Sequence, residues 1–94
     1  MVIGVCTLVL DIPSSHSLKD KRRVVKSILA KVRNQYNVSI AEVEANDSWQ
    51  SAVVGIACVS NDASHAHGLL SRVVETISNT RFEAQVADYH IEIL

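Results

Sequence analysis

At 94 residues the chain makes one domain around one core, and 48% apolar content with three glycines and one proline excludes a linker or a disordered tail. Its formal net charge of −1 hides an asymmetry: seven of the nine basic side chains fall in residues 19–33 beside a single acid, Asp20, so that segment carries +6 and the remainder −7. Cations clustered in this way create a field that the net charge does not report, and they point to an anionic partner.

Residues 1–10 are apolar but have no basic flank, and they number about half of the roughly 20 that a membrane-spanning helix needs. They read as a buried strand, and the missing export signal leads us to expect a cytoplasmic protein with no membrane contact. Cys6, here, and Cys58, later, lie in apolar runs where a thiol acts as a small buried hydrophobe. Asp11-Ile12-Pro13-Ser14-Ser15 is loop punctuation. Ser17-Leu18-Lys19-Asp20 fits a capping box, with the Ser17 hydroxyl accepting from the Asp20 amide and the carboxylate reaching back to the N-cap amide. Leu18, Val25, Ile28, Leu29, Val32 and Tyr36 then recur at helical spacing, and the helix should stop within residues 34–37.

A β-branched strand follows over residues 38–44. Ala45-Asn46-Asp47-Ser48 has the composition of a turn and leads through Trp49 into an apolar run, 52–59, so the two strands form a hairpin. Ser60-Asn61-Asp62 offers caps for a second helix whose apolar side is Ala66, Leu69, Leu70, Val73 and Ile77. After Ser78-Asn79-Thr80 a last strand covers 82–94, with Tyr89, Ile91 and Ile93 on one side and Asp88, His90 and Glu92 on the other.

The order β-α-β-β-α-β predicts an α+β fold, a ferredoxin-like sandwich over residues 1–94. Right-handed crossovers place the first and third strands in the middle of a four-stranded antiparallel sheet, with both helices on one face. Those two strands are apolar on both sides: Ile3, Val5 and Val9 stand opposite Cys6, Leu8 and Leu10, and Val53 and Val59 opposite Val54, Ile56 and Cys58. Helices cover one face only, so the other calls for a partner, and a homodimer packed sheet on sheet is the expectation.

On the first helix Lys19, Arg23, Lys26 and Arg33 fall within an arc of about 80°, away from the apolar side. No acid stands at i±4 to pair with them, and cations crowd the first turns against the helix dipole. Contact with a phosphate backbone through Lys19, Arg22, Arg23, Lys26, Lys31 and Arg33 explains why both penalties are tolerated. Lys21 projects near the apolar arc. It is expected to snorkel past the sheet edge; the alternative is an ammonium aimed, with Ser15 and Ser17, at a small anion beside the helix N-terminus.

The first and third strands carry no Phe, Tyr or Trp, so base stacking across the sheet in the manner of an RNA recognition motif is not expected, and RNA contact should fall to the backbone through the helix. His65 and His67 sit on different faces of a helix, and no metal or cofactor is expected. Caps and turns account for the serines beside His16, and no catalytic residue emerges. Trp49, near Asp47, is assigned to core or dimer contact ahead of a ribosomal or ligand contact.

Three segments taken together carry a resemblance. Ser17-Leu18-Lys19-Asp20-Lys21-Arg22 followed by Val24-Val25, Asn37-Val38-Ser39-Ile40-Ala41-Glu42-Val43, and Asp47-x-Trp49-Gln50 resemble the YlxP-like family of small bacterial proteins of unknown function, with Val59-Ser60-Asn61-Asp62 closing the third strand. The resemblance implies a ferredoxin-like fold of this length in a cytoplasmic bacterial protein. Genes of that family often lie beside those for transcription–translation coupling and ribosome maturation, an association that assigns no catalytic residue. The combined expectation is a non-enzymatic factor binding rRNA or the small ribosomal subunit. The alternative is a regulatory module or enzyme that binds a small anion at the loop before the first helix.

Overall fold

The computed structural model describes residues 1–44, 47–79 and 82–94 of the chain. Six elements follow in the order β1 (Val2–Asp11), α1 (Leu18–Gln35), β2 (Ser39–Glu44), β3 (Ser51–Ser60), α2 (Ala63–Asn79) and β4 (Gln85–Ile93). The strands form one antiparallel sheet in the order β2-β3-β1-β4, a ferredoxin-like arrangement with the two apolar strands at its centre.

Period-two alternation decides what each central strand buries. Cys6, Leu8 and Leu10 of β1 and Ala52, Val54, Ile56 and Cys58 of β3 point at the helices and are buried. They meet Val24, Val25, Ile28 and Val32 of α1 and Ala66, Leu70, Val73, Val74 and Ile77 of α2, at the three- and four-residue steps that put one helix face on a core. The Tyr36 and Thr76 hydroxyls hydrogen-bond to each other and tie the end of α1 to α2. Ile3, Val5, Val9, Val53 and Ala57 point the other way and are only partly covered.

Both edge strands are irregular. β2 slips register between Glu42 and Glu44, and β4 slips opposite Val9 and Leu10. The Arg33 guanidinium donates to the Ile40 carbonyl of β2 at 2.8 Å. A short, bulged and tied edge resists pairing with another chain.

The expected boundaries hold closely for five elements and shift for one. The last strand was expected from residue 82, but β4 begins at Gln85; Phe82 and Ala84 pack against the core from the loop before it. Ala45 and Asn46 of the expected hairpin turn, and Thr80 of the expected break before the last strand, lie outside the described residues.

Candidate nucleic-acid interface

The first helix is anchored at its start by local chemistry. Ser17 is the N-cap, its Oγ accepting from the Asp20 amide at 3.0 Å. The Asp20 carboxylate takes the amide of His16 at 3.1 Å, one residue before the N-cap amide that a capping box would engage. The inward arc of α1 is Lys21, Val24, Val25, Ile28 and Val32, all buried. Lys19, Arg22, Arg23, Lys26 and Arg33 are exposed on the outward side. From Lys19 to Arg33 the stripe runs about 21 Å at 1.5 Å per residue, within an arc of about 100°.

These cations are not equally free. Lys19, Arg22 and Lys26 make no hydrogen bond or ion pair among the described residues. Arg23 pairs with Glu83, Nη2 to Oε2 at 2.9 Å, both side chains more than half exposed. The Glu83 hydrogen bond, and next its charge, raise the Arg23 pKa, holding the guanidinium protonated. Arg33 spends one donor on the Ile40 carbonyl and keeps the rest of its fork for another acceptor. Lys31 stands apart: it lies about 80° beyond Arg23 around the helix and lines a recess with Arg72, Glu75 and Thr76 of α2. Of the six residues assigned to phosphate contact, five therefore share one surface and Lys31 faces another.

Lys21 does not snorkel. It is 3% exposed, at the middle of the buried arc, and its Nζ donates to the Ser48 carbonyl at 2.9 Å and stands 3.7 Å from a Glu42 oxygen. Such a contact satisfies a buried ammonium and pins α1 to the β2–β3 connection. A recess of about 370 Å³ does lie beside the loop before α1, lined by Ser15, His16, Asp47, Ser48, Trp49 and Gln50, but Lys21 is absent from its walls.

The serines assigned to that recess are engaged in holding the loop. The buried Ser15 Oγ donates to the Ser17 carbonyl at 3.0 Å, and Ser17 caps the helix. Gln50 staples the same loop, its Nε2 donating to the Pro13 and Ser15 carbonyls while its own carbonyl accepts from Ile12. An anion arriving here meets the Asp47 carboxylate in the wall and that of Asp20 at the helix start. Trp49 is 53% exposed at the rim rather than closed into the core.

The cysteines sit on neighbouring central strands, buried and unpaired. Burial raises the Cys6 thiol pKa, with a hydrogen bond from the His90 backbone pulling it part of the way back. A thiol held protonated in this way is a poor nucleophile. Among the described residues, no three His, Cys, Asp or Glu side chains gather as a metal would require. No helix among them is long and apolar enough to cross a membrane.

Some partners escaped the sequence reading because they lie far away in the chain. Glu83 is 60 residues from Arg23, and Ser48 is 27 from Lys21. The displacement of Lys31 from the stripe, by contrast, could have been read from helical spacing alone.

Comparison with known proteins agrees with the fold and leaves the chemistry open. Residues 3–91 match the family described as "Protein of unknown function (DUF503)". The uncharacterized protein YlxP of Bacillus subtilis (strain 168) is 40% identical over 78 residues, 83% of this chain and 85% of that protein. Among solved structures, the de novo designed protein Foldit4 aligns over all of this chain and 97% of its own, with a TM-score of 0.54 at 16% identity. LarC2, the C-terminal domain of a cyclometallase involved in synthesis of the NPN cofactor of lactate racemase, aligns over all of this chain and 55% of its own, with a TM-score of 0.54 at 9% identity. At such identities the likeness concerns the fold alone.

Proposed function

The chain belongs to the DUF503 family, and from that footing we propose that it is a non-enzymatic, cytoplasmic RNA-associated factor. It binds backbone phosphates, those of ribosomal RNA first among them, through the outward side of α1. The observation that carries this reading is the row of exposed cations Lys19, Arg22 and Lys26, which nothing in the described protein neutralises, flanked by Arg23 and Arg33.

Arg23 can exchange its exposed Glu83 contact for a phosphate at little cost, because solvent and salt screen a surface pair of this kind. Lys31 is left out of the interface. The strand faces offer no aromatic platform in β1 or β3, which favours backbone contact over base stacking. Recognition of this type reads the position of phosphates more than the identity of bases.

The test is sedimentation of cell lysate at low and moderate salt, with binding of the purified protein to ribosomal RNA measured in parallel. Wild type should travel with ribosomal particles at low salt. Its RNA affinity should fall with a log–log salt slope of about −3 to −4.5, as for four or five neutralised phosphates. Lys19→Glu, Arg22→Glu and Lys26→Glu together should abolish both behaviours without unfolding the chain. Retained binding in that variant, or binding indifferent to salt, would refute the reading.

A further inference from the structure

The sheet face turned away from the helices has a composition of its own. Register sets Ile3, Val5 and Val9 of β1 beside Val59, Ala57 and Val53 of β3. Val43 of β2 leans over Gly55. Val43 and Val59 are 56% and 67% exposed. At about 4.8 Å between neighbouring strands and about 3.3 Å per residue, the face spans about 14 by 30 Å from edge strand to edge strand. That is room for one helix of about 10 Å diameter.

The rim of this apolar centre is acidic. Asp11 ends β1, Glu44 is in register with Val53, Asp88 with Val9 and Glu92 with Val5. None of the four strands contains a Lys or Arg. His90, 4.0 Å from Glu92, adds a positive charge only when protonated. A second copy of the chain laid on this face would match apolar centre to apolar centre. It would also bring two such acidic rims together with no strand Lys or Arg to separate them, and like charges juxtaposed across an interface oppose it. Charge thus favours a partner of the opposite sign.

We propose that this face docks a cationic amphipathic helix of another protein. Its apolar side lies on Val5, Val9, Val53 and Ala57, and its Lys and Arg side chains reach outward to Asp88, Glu92, Asp11 and Glu44. The site is independent of the α1 stripe, which lies on the other side of the sheet. A molecule with both surfaces joins a polyanion on one side to a basic protein segment on the other.

The probe is a synthetic peptide of about 18 residues, about 27 Å as a helix, with Leu at helical spacing and Lys elsewhere. The control is the same peptide with Glu in place of Lys. Each is titrated into the isotopically labelled full chain while backbone amide signals are followed. The Lys peptide should bind saturably and move the amides of Val5, Val53 and Ala57, and the Glu peptide should not bind. Asp88→Lys combined with Glu92→Lys should weaken the Lys peptide at least about tenfold; both residues are exposed on the edge strand, and an unchanged amide spectrum would verify the fold. Equal binding of the two peptides, shifts confined to the helices, or undiminished binding by the charge-reversed variant would overturn the proposal. So would a dimer at micromolar concentration that Val5→Asp converts to a folded monomer, because the occupant would then be a second copy.

Discussion

Replacing Gly4 by Ala puts a methyl group into the contact between β1 and α2. A Cβ there would stand 2.9 Å from Leu70 Cδ1, 3.1 Å from Cys58 Sγ and 3.3 Å from Ala66 Cβ. All three neighbours are buried, so none can swing into solvent. Overpacking of this kind costs about 1–3 kcal/mol, and the lost freedom of glycine in the unfolded chain returns about 0.5–1. The expected net destabilisation is about 1–2 kcal/mol. Gly55→Ala makes a closer approach, 2.7 Å to Val43 Cγ1, yet Val43 is more than half exposed and can turn aside. Its rotamer cost of about 0.5–1.5 kcal/mol nearly cancels the same entropic gain, and the expected change is within about 0.5 kcal/mol of zero. Urea unfolding with an unchanged m-value measures both. Combining Gly4→Ala with Leu70→Ala should recover about 1 kcal/mol relative to the sum of the single changes, since the new methyl then fills vacated space. If Gly55→Ala costs as much as Gly4→Ala, or Gly4→Ala is silent, then the mobility of the neighbour does not decide the cost and the reasoning fails.

Two further changes probe the buried polar chemistry. Lys21→Met keeps the aliphatic stem and removes the ammonium; the acceptors it leaves, on Glu42 and Ser48, are not sealed from solvent and can turn to water, so thermal unfolding should show a loss of about 1 kcal/mol. Lys21→Ala loses about three methylenes at about 0.8 kcal/mol each and opens a void under the β2–β3 connection, and should cost at least about 2 kcal/mol. Equal losses in the two would mean that the ammonium itself holds the hairpin. For Cys6, the folded thiol binds its proton more tightly than the unfolded one, whose ordinary value is 9.0. Its contribution to stability is therefore constant below about pH 9 and declines as pH rises from there toward the folded value. Urea midpoints above about pH 9 should fall more steeply in wild type than in Cys6→Ala; parallel curves would count against a raised thiol.

The fold was legible because its signals are local. The apolar runs at residues 1–10 and 52–59, the alternation at the end of the last strand, the Ser17 and Asp62 caps, and helical spacing in α1 and α2 each follow from neighbours a few residues apart. Two-sided apolarity in β1 and β3 even marked which strands lie at the centre. What was not legible depends on contacts between distant segments. Lys21 reads as polar in any periodic pattern, and only Ser48 and Glu42 explain its burial. Arg23 looked unpaired because its acid, Glu83, comes from the approach to β4 rather than from its own helix. The start of β4 was misplaced because Phe82 and Ala84 are apolar enough for a strand and pack on the core without being one.

The separation of bases onto α1 and acids onto the strands also governs how the molecule travels. Seven cations lie on one helix of the helical layer, while every charged strand residue except histidine is an acid. A chain with a formal net charge of −1 should be pushed away from a polyanion if it behaved as a point. With its charges layered, it behaves as a dipole, and the field of an RNA exerts a torque before it exerts contact. If RNA is the partner, as proposed, the molecule would turn helix-first on approach, fewer collisions would be wasted on the wrong face, and encounter would be faster than net charge alone would allow. Added salt shortens the distance at which such alignment begins, so the rate of association with that partner should drop even where the bound state would survive.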